Sequence, residues 1–165
     1  MSDFIRHLNL IKTRRTQAWL TPSQQIALAR LQKVLPVPGT VNLFGGIGSG
    51  KTFLAWFLAE QLTGMYLTHP DALKEIEEVD TAVLILDNCQ AERQAHRELL
   101  KELQFRQVRH AVLITRQLIH DYTHYVELAL TSTDLQYAHK NLSTLGLGST
   151  SADPSNLWHL VNSCI

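Results

Sequence analysis

The chain has 165 residues, 45% of them hydrophobic, enough to bury one sizeable core within the single-domain range. Lys plus Arg and Asp plus Glu number 15 each, so no net field draws the protein onto nucleic acid or an acidic membrane surface, and any nucleic-acid contact must come from a local patch. Cys89 and Cys164 are far apart, without metal-ligand spacing or an apolar leader, and the apolar runs fall short of the roughly 20 residues of a membrane helix; a cytoplasmic protein with no spanning segment is expected.

In chain order, residues 1–20 mix Phe4, Ile5, Leu8 and Ile11 with Lys12, Arg14 and Arg15, the pattern of an amphipathic helix or arm. Thr21-Pro22 reads as an N-cap followed by proline at the first helical position, starting a helix through Ile26, Leu28, Leu31 and Val34 that Pro36, Pro38 and Gly39 stop. Residues 41–44 form a short buried strand, a glycine-rich loop follows at once, and residues 51–61 are helical and apolar on most sides, with Trp56 expected in the core.

Further strands are expected at 65–67, 82–86, 111–114 and 125–130, alternating with helices at 71–79, 91–103 and 134–145. Gly146 and Gly148 close the last helix, a Gly/Ser/Thr-rich linker follows, and a short apolar tail from Leu157 contains Trp158, which either anchors a partner or packs the tail. This alternation predicts an α/β chain, a three-layer α/β/α fold around a mainly parallel sheet of about five strands. The expected division is an N-terminal helix or arm over 1–20, a core over 21–148, and a linker and short tail over 149–165.

The loop Gly45-Gly46-Ile47-Gly48-Ser49-Gly50-Lys51-Thr52 carries the chemistry. Its glycines let the backbone turn where a Cβ would obstruct, so successive N–H groups can converge on phosphate oxygens. Lys51 is expected at the β- and γ-phosphates, the Thr52 hydroxyl at Mg²⁺, and the dipole of the following helix adds a favourable field for anions. Together with Phe53 this is the candidate nucleotide-binding segment. Asp87 ends the apolar run 82–86, which places its carboxylate at the C-terminal edge of the sheet, beside the phosphates; it is the candidate second Mg²⁺ partner, acting through water.

With that loop, Leu84-Ile85-Leu86-Asp87-Asn88 and Val112-Leu113-Ile114-Thr115-Arg116 in this order, the chain resembles the P-loop ATPases of the AAA+ and STAND type over residues 20–148. The resemblance implies ATP and Mg²⁺ as ligands and assigns a sensor at the end of the central strand to Thr115 or Arg116, reading the γ-phosphate or signalling to a neighbouring subunit. The candidate catalytic set is therefore Lys51, Asp87, Asn88, Thr115 and Arg116.

Two departures from the pattern bear on hydrolysis. Asn88 stands where such ATPases carry an acidic residue, and an amide cannot accept a proton from the attacking water. Residues 117–126 hold no arginine to insert into a neighbour's site, and few residues follow Gly148 for the helical lid. Three readings follow: an ATP-dependent switch or assembly factor with protein partners or copies of itself, slow or partner-stimulated in hydrolysis; a nucleotide-binding accessory subunit that barely hydrolyses; and a small-molecule kinase.

Other features are weaker. Glu92 could orient water if its loop folds back, although a solvated residue at a helix start explains it as well. His120 and His124 have the i, i+4 spacing that can hold a metal if they share a helix face, but no third ligand is evident. Arg93, Arg97, Lys101, Arg106, Arg109 and His110 form a basic strip that could touch nucleic acid, and Glu92, Glu98 and Glu102 interleave with it as a salt-bridged face would.

Overall fold

The computed structural model describes residues 3–148 and 154–164. Five strands, β1 (Gly39–Phe44), β2 (Met65–Leu67), β3 (Leu84–Leu86), β4 (His110–Thr115) and β5 (Tyr125–Glu127), form one all-parallel sheet in the order β2-β3-β4-β1-β5. The helices are α1 (Asp3–Lys12), α2 (Pro22–Val34), α3 (Lys51–Gln61), α4 (Arg93–Phe105), α5 (Ser132–Ser143) and α6 (Leu157–Asn162).

Alternation along the strands divides the core into two layers. Val41, Leu43, Ile85, Val112, Ile114 and Val126 face α2 and α3, where Leu28, Leu31, Leu54 and Leu58 are buried. Leu84, Leu86, Ala111 and Leu113 face the opposite way, against Leu103 of α4 and Leu73. A third cluster joins the two ends of the chain: Leu142 of α5 and Leu160 of α6 pack with Leu147 and Cys164, against Ile11 of α1.

Register places the functional edge. Phe44, the last residue of β1, pairs with Thr115 on one side and Glu127 on the other, and Leu86 pairs with Leu113. The next residues, Gly45, Asp87 and Arg116, therefore leave the sheet along one C-terminal rim, where parallel sheets bind ligands.

Thr21 caps α2 as expected, in a reciprocal capping box with Gln24. The helix expected over 71–79 is instead a 3-10 turn, Pro70–Glu75, capped by the His69 ring. A helix continued to 79 would set the acidic run Glu75, Glu77 and Glu78 at the unfavourable end of its dipole; Ile76 is instead extended, and its carbonyl accepts from Arg106 Nη1. Helix α5 starts two residues earlier than expected, since Thr131 and Asp134 form a second capping box.

Trp56 lies outside the core, contrary to expectation. Leu54, Ala55, Phe57 and Leu58 take the buried side of α3, leaving the half-buried indole edge-on to Tyr66, at 6.3 Å between ring centroids, with Lys12 Nζ 5.0 Å from its ring. Most of the expected linker falls at 149–153, outside the described residues. The segment beyond it is helix α6, capped by Asn156; Leu160 is fully buried, and Trp158 packs against Phe4 of α1 with centroids 4.6 Å apart and the rings tilted by 60°. Among the described residues, no helix is long and apolar enough to cross a membrane.

Candidate functional site

The loop between β1 and α3 is built by close approach. A Cβ on Gly45 would stand 2.3 Å from the Leu128 carbonyl oxygen, just past β5, and Gly48 has φ +72°, a left-handed conformation that disfavours side chains. At Gly46 an added Cβ would meet nothing within 4 Å, so the glycine there is not demanded by packing.

Lys51, at the start of α3, donates from Nζ to the carbonyls of Gly45 and Gly46, each at 2.7 Å, and to Ser49 Oγ at 3.2 Å. Burial lowers its pKa, the negative charge of Asp87 raises it again, and nearby Arg116 pushes it down. Thr52 donates to Asp87 Oδ2 at 2.8 Å, so a hydroxyl and a buried carboxylate from separate elements meet beside the lysine. Ile47, at the tip of the loop, is exposed, and Phe53 packs against the core from the first turn of α3.

Asp87 accepts two more bonds, from the Tyr66 hydroxyl to Oδ2 at 2.8 Å and from the Asn88 amide to Oδ1 at 2.7 Å. Tyr66 belongs to β2, and no local motif marks it. Burial, reinforced by the charge of Asp87, raises the pKa of its hydroxyl, which therefore stays a donor. Asn88 itself has φ +54° and donates from Nδ2 to the Thr68 carbonyl at 2.8 Å, which turns its side chain toward the end of β2.

The two candidates at the end of β4 differ sharply. Thr115 is buried, and its hydroxyl accepts from Asn42 Nδ2 at 2.8 Å while donating to the Gln117 carbonyl at 2.6 Å. Asn42 is fully buried on β1, donates also to Leu113 O, and accepts from the Ile119 amide at 2.9 Å. The hydroxyl proton of Thr115 is thus committed to structure. Arg116 is exposed and makes no hydrogen bond or ion pair with the described residues, yet lies close enough to Lys51 for their charges to interact.

An apolar cavity of about 290 Å³ adjoins the loop, with Gly48, Gly50, Lys51 and Thr52 in its wall and Trp19, Phe53 and Leu160 among the others lining it. Gln24, Asn141 and Leu157 also line this cavity, and none of them carried a sequence signal for it.

The remaining candidates do not converge on the loop. Glu92 caps α4 without a side-chain cap bond. His120 and His124 lie in the β4–β5 connection rather than on a helix, and no group of three or more His, Cys, Asp or Glu that could hold a metal occurs among the described residues. In the basic strip, Arg106 pairs with Glu102 at 2.6 Å and Arg93 with Asp121 at 3.7 Å.

Compared by sequence, the chain matches no family model and no curated protein. Compared by structure, it is similar to a replication initiator DnaA bound to AMPPCP and single-stranded DNA, with a TM-score of 0.53 at 13% identity over 81% of this chain and 55% of that one. It is also similar to a DNA replication initiation factor, with a TM-score of 0.51 at 14% identity over 74% of this chain and 50% of that one. The chain spans about half the length of these neighbours. The parallel sheet ordered β2-β3-β4-β1-β5, with its glycine loop between β1 and α3 and helices on both faces, is the three-layer α/β fold that the chain shares with these neighbours.

Proposed function

We propose that the chain binds Mg-ATP through Gly45, Gly46, Ile47, Gly48, Ser49, Gly50, Lys51, Thr52 and Phe53, and acts as a nucleotide-dependent switch or assembly factor. Its partners are other proteins or copies of itself, and hydrolysis is slow or partner-stimulated. The observation that carries the reading is the 2.8 Å bond between Thr52 and Asp87 beside a loop whose lysine hydrogen-bonds, among the described residues, to loop oxygens. Phosphate oxygens would replace those carbonyls as acceptors for Lys51, with the loop amides adding further donors.

The donor set fits magnesium: a hydroxyl and a carboxylate are hard oxygen ligands, and so few of them leave positions for phosphate oxygens and water. When bound, Mg²⁺ would neutralise charge on the phosphates. Thr52 would hold it directly and Asp87 through water, while Tyr66 orients Asp87. The nucleoside would enter the apolar cavity beside the loop, and AMPPCP on one structural neighbour supports a nucleotide as ligand.

A protein partner is favoured over nucleic acid, since charges balance overall and Arg93 and Arg106 are paired with acids. The two cysteines, both buried and unpaired, suit a reducing cytoplasm. The second reading, a subunit that binds nucleotide and barely hydrolyses it, draws support from Asn88, whose amide is bonded to Thr68.

Calorimetric titration with Mg-ATP tests the site, with particle mass measured in parallel with and without nucleotide. Binding that falls at least about tenfold in Lys51→Ala is expected, from loss of a charge-assisted contact. Unchanged affinity in that variant overturns the assignment. Steady-state phosphate release with and without partner proteins then separates the switch from the accessory subunit.

A further inference from the structure

The phosphate loop is braced from outside by two segments that belong to no nucleotide motif. The Leu157 amide donates to the Gly48 carbonyl at 3.0 Å, and Gln24 Nε2 donates to the Gly50 carbonyl at 2.8 Å. In a planar trans peptide, the C=O of one residue and the N–H of the next point in opposite directions. Fixing the Gly48 carbonyl outward therefore aims the Ser49 amide into the loop, where it donates to the Gly46 carbonyl at 3.3 Å, a long bond that a phosphate oxygen can displace, and fixing the Gly50 carbonyl likewise turns the Lys51 amide inward. The Leu54 amide, at 3.1 Å from the Gly50 oxygen, adds to the second restraint.

Both braces are themselves held. Gln24 is 1% exposed, and its Oε1 accepts from the Thr21 amide at 2.8 Å, so the capping box of α2 stops the carboxamide from rotating. Asn156 Oδ1 accepts from the His159 amide at 2.9 Å, which keeps Leu157 at the first position of α6, and the buried Leu160 anchors that helix. The fit is close: a Cβ on Gly48 would be 2.5 Å from Asn156 Oδ1, and one on Gly50 would be 2.5 Å from Gln24 Nε2.

We propose that Gln24 and the Asn156-Leu157 turn are positioning elements of the phosphate site, pinning the outward carbonyls of Gly50 and Gly48 so that the Lys51 and Ser49 amides face the phosphates. This rests on the nucleotide reading above and extends it to a specific role for the C-terminal segment.

Proline is tolerated at the first helical position, where its missing N–H breaks no intrahelical bond, and Asn156 has the extended backbone that a following proline requires. Leu157→Pro therefore removes the donor to Gly48, while Leu157→Ala removes the same side chain and keeps the donor. Gln24→Met and Thr21→Ala form a second pair: both break the capping box, but only the first removes the donor to Gly50.

Affinities of the full chain for Mg-ATP and for inorganic tripolyphosphate are measured together with the denaturation temperature without ligand. Leu157→Pro is expected to bind both ligands about five- to tenfold more weakly than Leu157→Ala at a matching denaturation temperature, the worth of one hydrogen bond per site. Gln24→Met should fall below Thr21→Ala by a similar factor. If each pair binds alike while Lys51→Ala loses binding, the bracing role is overturned and the nucleotide site stands. If the unaltered chain binds neither ligand, or Lys51→Ala binds as it does, the nucleotide reading falls and this inference with it.

Discussion

The hydroxyl of Tyr66 donates to Asp87 Oδ2 at 2.8 Å, the same oxygen that receives the Thr52 hydroxyl. An edge strand thereby fixes the rotamer of a carboxylate that leaves the sheet two strand positions away from the loop. Tyr66→Phe keeps the ring and removes this restraint. The magnesium concentration needed for half-maximal ATP binding should rise about tenfold, the usual scale for loss of a group that orients a metal partner. A magnesium titration at fixed ATP checks it, and a curve unchanged from the parent protein would remove Tyr66 from the site.

Thr115 and Arg116 should separate stability from nucleotide response. Thr115→Val leaves the Gln117 carbonyl without its donor and takes one acceptor from Asn42, at about 1–3 kcal/mol of stability in urea denaturation. Arg116→Ala should leave the denaturation midpoint where it is and lower partner-stimulated phosphate release, since the exposed guanidinium makes no hydrogen bond or ion pair with the described residues yet stands near Lys51. The opposite pattern, with turnover lost in Thr115→Val at unchanged stability, would move the sensing role to Thr115.

Asn88 tests whether its amide takes part in chemistry. Its φ of +54° suits glycine, so Asn88→Gly removes the side chain without introducing backbone strain. Phosphate release within about twofold of the parent is expected, because the amide bonds Thr68 rather than groups of the loop. A collapse of turnover would place Asn88 among the reacting groups.

Asp134 should give the fold a contribution to stability that depends on pH on the acid side. Burial alone would raise its pKa, but hydrogen bonds from Thr131 and Ser23 outweigh burial and hold the carboxyl below its usual range. A carboxylate depressed in the folded state stabilises fully above its unfolded value of about 3.9, and that contribution is lost as pH falls through the folded value. Asp134→Asn should be less stable than the parent by about 2 kcal/mol at pH 7, with the difference intact at pH 5 and narrowing below about pH 4. Thermal denaturation across that range reads the gap directly; a gap that widens on acidification would contradict the assignment.

The glycine-rich loop was legible because everything that forms it is consecutive: four glycines, a lysine and a threonine between an apolar strand and a helix. The strand order was not written in any one segment, but alternating strands and helices restrict the connections to parallel crossovers, and the sheet follows that restriction. The 71–79 segment departs from its helical composition because its acidic residues gather at the end where a helix dipole disfavours them, and Ile76 is extended. The placing of Trp56 is not written in its helix: α3 is apolar nearly all round, so periodicity does not say which side faces the sheet. The start of α5 was available in Thr131 and Asp134, whose spacing is that of a capping box.

What the amino-acid order determined by itself is the chemistry of neighbours in the chain: a glycine-rich turn that ends in lysine and threonine, apolar strands, and an acid at the end of the third strand. Only the tertiary structure decided which distant groups complete it. Tyr66 reaches Asp87, Asn42 takes up the Thr115 hydroxyl, and Gln24 and Leu157 hold the loop from behind. The reason is physical: a backbone motif depends on local dihedral freedom, which a few adjacent residues specify. A buried hydrogen-bond partner depends on strand register and helix packing, which arise from the whole core at once.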